Sequence, residues 1–155
     1  MPRKQLITGL KELEKALQQL PNAVASRTLI TAMRKAARPI LQTAIHNAMR
    51  FRNPGTYSAG QLADSLKIGT VLNKRQRRIF RKRPGNAVIY VGPSWPMGAH
   101  AHFKEFGTSK QQAEPFLRPA WDMHQAEFLT TFKREAWKAL EKARKKLAQQ
   151  RPRVT

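Results

Sequence analysis

Leu66-Lys67-Ile68-Gly69-Thr70-Val71-Leu72 and Ala87-Val88-Ile89-Tyr90-Val91 are the two runs on which the fold class turns. Both are short and rich in β-branched residues, whereas the other apolar patterns of the chain repeat every three or four positions. Each is therefore predicted to be a strand. Between them lies Lys74 to Arg83, with seven basic residues in ten and only Ile79 and Phe80 apolar. This segment, about 73–84, reads as a basic β-hairpin or a disordered loop. Pro84-Gly85-Asn86 turns the chain into the second strand, and Gly92-Pro93 is expected to stop it. Two strands joined this way make a small antiparallel sheet, which separates an α+β fold from a purely helical one.

Upstream, Gly60 to Leu66 reads as a short helix or turn that follows the turn signal Asn53-Pro54-Gly55. Before it, Leu29, Ile30, Met33, Ala37, Ile40, Leu41, Ala44, Ile45 and Ala48 share the apolar face of a long second helix. Pro39 lies inside that helix and removes one backbone donor, so a kink or break is expected near Ala36 to Arg38. Leu6, Leu10, Leu13, Leu17 and Leu20 alternate steps of four and three, the stripe of an N-terminal amphipathic helix that Pro21 and Asn22 end.

Downstream, Ser94 to Ala99 is a Pro- and Gly-punctuated loop, and His100 to Phe106 is expected to form a single helical turn closed by Gly107. After a loop through Glu114-Pro115, the residues Leu117, Trp121, His124, Phe128, Phe132, Ala136, Leu140, Ala143 and Leu147 recur at helical spacing. A helix from Phe116 to about Gln149 would span roughly 50 Å at 1.5 Å per residue. Its half from Lys133 to Arg153 holds nine basic residues and no aromatic after Trp137. The end, about 138–155, is therefore expected to project.

Thirty Lys and Arg against nine Asp and Glu give a formal charge of +21. Such a chain attracts polyanions in a strongly salt-dependent way, and nucleic acid, an anionic membrane and an acidic protein face all fit that description. The absence of cysteine excludes disulfides and thiolate chemistry. Arg3 and Lys4 are followed by few apolar residues before Lys11 and Glu12, which is not the pattern of a secretory signal. The longest uncharged stretch, Gly85 to Phe103, carries Pro93, Pro96 and three glycines, which is not the pattern of a membrane helix. The expectation is a single domain, 1–155, made in the cytosol and either soluble or joined to an assembly, with no membrane partner.

Each motif has a plain structural reading. Gly107 supplies a positive φ, Phe103 and Phe106 are expected to pin their turn to the sheet, and Thr108 or Ser109 to bond nearby backbone. Glu105 is the one candidate catalytic acid, but it has no second carboxylate nearby in sequence to work with. Pro115-Phe116-Leu117-Arg118-Pro119 reads as a helix entry with Phe116 anchored in the core, ahead of the alternative of a proline-rich recognition peptide. His100 and His102 form an H-x-H pair, but His46 and His124 lie in predicted helices, so no zinc site is expected. No catalytic constellation, metal site or cofactor is expected. The basic residues Lys74, Arg75, Arg77, Arg78, Arg81, Lys82 and Arg83 are the sharpest binding candidates: a charge run is usually a solvated face, but seven cations without an anion are costly unless a polyanion or an acidic protein surface relieves them. DNA and protein both remain open as that partner.

The pair of segments Phe103-Lys104-Glu105-Phe106-Gly107-Thr108-Ser109-Lys110 and Ala113-Glu114-Pro115-Phe116-Leu117-Arg118-Pro119-Ala120 resembles the signature of the phage HK97 gp10-like family of tail-completion proteins. The order upstream is also similar: Gly9 to Leu13 in the first helix, a long second helix, Gly60 to Ser65, then strands ending in Tyr90-Val91-Gly92-Pro93. The resemblance covers most of Gly9 to Gln125. The loop from Trp95 to Ala99 and the cation density at Lys74 to Arg83 are particular to this sequence.

The resemblance implies a non-enzymatic subunit of the virion that completes a siphophage tail at the head–tail junction. It would act there in a ring, hexameric by likeness to the family, assembled in the host cytoplasm. Head-closure, tail-terminator or tube proteins would be its neighbours, and phage DNA would pass through the channel. The rival reading is a sequence-nonspecific nucleic-acid-binding protein, which explains the charge but not the paired motif.

The expected fold is α+β: a small antiparallel sheet packed by the kinked second helix and the long C-terminal helix, with the N-terminal amphipathic helix beside them. Trp121, Phe128 and Phe132 are expected to make much of the helix–sheet contact. Leu6, Leu10, Leu13 and Leu17 are subunit-interface candidates, because a small sheet cannot cover their stripe. A head-to-tail ring also needs two different adhesive faces.

Overall fold

The computed structural model describes residues 5–50, 59–71, 87–94 and 97–149. Their contacts gather into two compact units, one of Met1–Ala36, Leu72–Ile89 and Phe128–Thr155, the other of Ala37–Val71 and Tyr90–Glu127. The fold is α+β, mostly helical with one two-stranded antiparallel sheet and a long C-terminal helix.

The first unit is built from α1 (Gln5–Gln18), α2 (Asn22–Ala36) and the second part of α6 (Leu117–Gln149). The leucine stripe of α1 does form one helix face. Leu13, Leu17 and Leu20 are buried on Ala25 and Ala32 of α2 and on Ala136 and Leu140 of α6. The alanines let the helix backbones approach closely, while each buried leucine contributes about 1.5–3 kcal/mol. The Pro21 carbonyl accepts from the N–H groups of Val24 and Ala25 at 2.8 and 3.0 Å and so opens α2. At the surface, Lys35 meets Glu135 at 2.8 Å and Arg144 Nη2 donates to the Gln19 side chain at 2.7 Å.

Two expectations change in this unit. Phe132, expected against the sheet, is instead part of the packing around the three-helix core, with Phe128 beside it. The two rings lie parallel with centroids 6.3 Å apart. The end of α6 does not project as far as it is described: Leu140 is fully buried, and Ala143 and Leu147 pack on the same cluster. The reason is the leucine stripe of α1, which supplies the apolar partner that a projecting helix would lack.

The second unit holds α3 (Arg38–Met49), α4 (Ala59–Ser65), β1 (Leu66–Gly69), β2 (Tyr90–Pro93), α5 (Gly98–Phe106) and the first turns of α6. The predicted long second helix breaks where Pro39 required it. α2 ends at Ala36, Ala37 is the N-cap of α3, and Pro39 occupies its first turn, where a missing N–H costs no intrahelical bond. Ile40, Ala44 and Ala48 form the buried face of α3. That helix lies against α4 and β1, while β2 packs on α4 and α5.

The strands are shorter than predicted and displaced. β1 ends at Gly69 rather than Leu72, because Val71 is 81% exposed and the chain has left the packed surface. β2 begins at Tyr90 rather than Ala87 and runs through Gly92-Pro93 instead of stopping there. The register pairs Leu66 with Pro93, and the Ser94 N–H donates to the Ser65 carbonyl at 2.8 Å. In an antiparallel ladder hydrogen-bonded and non-hydrogen-bonded pairs alternate, so Pro93 falls in a slot that asks for no N–H. The turn expected over His100 to Phe106 is a nine-residue helix that starts at Gly98.

Candidate functional site

The paired motif folds into a clamp between the end of α5 and the start of α6. At the N-cap and along α5, Met97, Ala101, Lys104 and Glu105 are buried, spaced as one helix face. Phe103 and Phe106 fall on the other side and are 47% and 57% exposed. They do not pin α5 to the sheet, because the helical period that buries 101, 104 and 105 turns 103 and 106 outward. Trp121, also expected against the sheet, is 47% exposed on α6.

Glu105 is the centre of the clamp. Its Oε2 accepts from the backbone N–H groups of Phe116 and Leu117 at 2.8 and 2.9 Å, and its Oε1 from that of Arg118 at 2.9 Å. The first four N–H positions of an α-helix have no intrahelical acceptor. Here Glu105 satisfies those at 116, 117 and 118, and the next position is Pro119, which has none to satisfy. The carboxylate also lies at the positive end of the α6 dipole. Arg118 closes the arrangement, with Nε on Oε1 at 3.1 Å and Nη2 on the Glu105 carbonyl at 2.7 Å. Burial works against the charge of Glu105, but the Leu117, Phe116 and Arg118 amides and the Arg118 side chain outweigh it. They hold the carboxyl below its ordinary value of 4.5.

The neighbouring motif residues fix the connection. Lys104 Nζ meets Glu114 Oε2 at 2.7 Å, while the Glu114 N–H donates to the Lys104 carbonyl at 2.8 Å. Gly107, at φ 75° and ψ 179°, is in a region essentially confined to glycine, and a Cβ there would lie 2.9 Å from the Ala113 nitrogen. Thr108 and Gln111 exchange backbone bonds of 2.9 and 3.3 Å across a tight turn, and Thr108 Oγ1 accepts from the Lys110 N–H at 3.2 Å. Phe116 is buried, with its carbonyl accepting from Asn47 Nδ2 at 3.2 Å. Thr43 Oγ1 and His124 Nε2 are 2.8 Å apart, a second tie between α3 and α6.

Among the motif residues, Glu105, Gly107, Thr108, Pro115, Phe116, Leu117, Arg118 and Pro119 are thus brought together. Sequence reasoning missed the cap formed by Glu105. A capping search looks three residues along a helix start, whereas this acceptor lies eleven residues ahead of Phe116.

On the outer side the Arg118 guanidinium sits 4.8 Å from the centre of the Phe106 ring, and the His102 ring lies 4.8 Å from the same ring. His102 is therefore engaged with an aromatic. Among the described residues no three His, Asp or Glu side chains converge to hold a metal ion, and no helix is long and apolar enough to cross a membrane.

The interface candidates have mixed placements. Leu13 and Leu17 are buried within the chain's own three-helix core, and Leu10 packs partly against it. The expectation rested on a small sheet being unable to cover the stripe; at these positions α2 and α6 cover it instead. The side chain of Leu6 lies outside the described residues, as do Lys74, Arg75, Arg77, Arg78, Arg81, Lys82 and Arg83.

The sequence model titled "Bacteriophage HK97-gp10, putative tail-component" matches residues 11–107, well over half of the chain. No curated protein and no solved structure matches it.

Proposed function

Because the chain belongs to the HK97-gp10-like family of bacteriophage tail components, we propose that it is a structural subunit completing the tail at the head–tail junction. In this reading the whole chain, 1–155, works as one domain in a homo-oligomeric ring, hexameric in number. The ring assembles in the host cytoplasm and resides in the neck of the virion. Its neighbours are head-closure, tail-terminator or tube proteins, and its surplus cations face acidic ring surfaces or the DNA in the channel.

The observation that carries the reading is the family match over residues 11–107. The clamp supports a non-enzymatic role: Glu105, the acid of the motif, spends its lone pairs on three backbone N–H groups and Arg118. A carboxylate engaged in this way is not free to move protons for a substrate.

The test is deletion of the gene from the phage, with complementation in trans. Filled heads and finished tails should accumulate unjoined and combine again when the protein is supplied. Infectious, normally joined particles without it would overturn the proposal.

A second reading, a sequence-nonspecific nucleic-acid-binding protein, is favoured by the +21 charge alone. Filter binding separates the two: a dedicated binder should retain tight duplex binding at physiological salt, while a neck subunit should show only weak, salt-sensitive attraction.

A further inference from the structure

Between α2 and the last turns of α6, inside the three-helix unit, lies an open groove of about 460 Å³. Val24 and Arg27 face it from α2, and Lys142, Ala143, Lys146 and Leu147 from α6. The floor is apolar, since Val24, Ala143 and Leu147 are only half-buried where they pack on the core. The rim is cationic, with Arg27, Lys142 and Lys146 all exposed.

These three cations take part in none of the ion pairs among the described residues, although Lys35 and Lys138 on the same two helices share Glu135. The chain has little to offer them. All nine Asp and Glu lie within the described residues, and the segments 1–4, 51–58, 72–86 and 150–155 each bring further Lys or Arg and no Asp or Glu. A second copy at +21 is a poor source of negative charge. A carboxylate partner for this rim is therefore best supplied by another molecule.

A phosphate backbone would satisfy the rim and leave the apolar floor wet. An amphipathic segment with carboxylates flanking an apolar stripe would match both. We propose that this groove docks an acidic amphipathic helix of a different protein. Its apolar side chains would sit on Val24, Ala143 and Leu147, and its carboxylates on Arg27, Lys142 and Lys146. This holds whether or not the chain forms a ring.

The test uses the full chain and two labelled peptides of identical composition. One places Leu at helical spacing with Glu on either flank; the other has the same residues permuted to destroy the stripe. The amphipathic peptide should bind at least about 10-fold more tightly in fluorescence anisotropy at near-physiological salt. K142E/K146E should lose about 10-fold of that affinity, while R38E/K67E, an equal charge change at exposed sites of the other unit, should stay within about twofold. T31E, which puts a carboxylate at the groove wall, should also weaken binding. All these positions are exposed, so circular dichroism melts should confirm that the variants fold.

Equal binding of the permuted peptide, or equal loss in both double variants, would reduce the groove to unspecific charge and overturn the proposal. So would duplex DNA whose binding depends on Lys142 and Lys146 while the peptides do not discriminate, since that outcome assigns the groove to nucleic acid.

Discussion

Glu105 sits on the buried face of α5 and still keeps its charge, because three amides and a guanidinium replace the water it loses. Glu105→Ala leaves the Phe116, Leu117 and Arg118 N–H groups without acceptors. It should cost about 3 kcal/mol in urea unfolding, with faster amide hydrogen exchange at those three residues. The pH dependence follows from the direction of the shift. The folded-state value lies below the unfolded one, so protonation favours the unfolded chain. The stabilisation is complete above 4.5 and fades as pH falls through the lower folded value. Glu135, also lowered, by its hydrogen bond to Lys35 first, acts in the same sense. Melting temperatures should therefore drop on acidification below 4.5, and Glu105→Gln should flatten part of that drop. Gly107→Ala meets both a positive φ and a Cβ clash with the Ala113 nitrogen, so it should destabilise by about 1–3 kcal/mol in the same unfolding assay. The need for Gly107 was legible in the sequence, since a glycine after a short apolar helix signals its own stop. The role of Glu105 was not, because its donors come from a helix that begins on the far side of a loop.

At the scale of elements, backbone rules were easier to read than tertiary partners. Pro39 announced the division between α2 and α3, and the Pro115 to Pro119 run announced the start of α6. The leucines of α1 announced a helix but not what would cover it. A stripe states only that an apolar face exists, and α2 and α6 both had suitable alanines to receive it. The same blindness misplaced Trp121, Phe128 and Phe132, whose spacing fixed a helix but not its neighbour. Strand ends were misjudged because the tolerance of β2 for Pro93 depends on its phase in the ladder, which only the pairing with β1 defines. Leu140 is the test of the three-helix core. Leu140→Ala removes a fully buried side chain between α1 and α2 and should cost about 2–5 kcal/mol in urea unfolding. An effect below about 0.5 kcal/mol, the size expected at an exposed position, would mean that the end of α6 is not packed there.

For the whole molecule, charge dominates what the sequence says about assembly. A surplus of 21 positive charges predicts attraction to polyanions but does not name one. Replacing Lys74, Arg75, Arg77, Arg78, Arg81, Lys82 and Arg83 together by Gln should lower affinity for heparin and flatten its salt dependence, measured by titration at several ionic strengths. Unchanged binding would remove that run from any polyanion contact. Membership of the tail-component family was legible only through the paired motif, since composition does not describe the surfaces by which a subunit assembles. Electron cryomicroscopy of the virion that carries this protein would locate the chain in the particle. Density for it is expected in a closed ring of identical copies between head and tail tube. Density elsewhere in the particle, or mature virions that lack the protein, would contradict that placement.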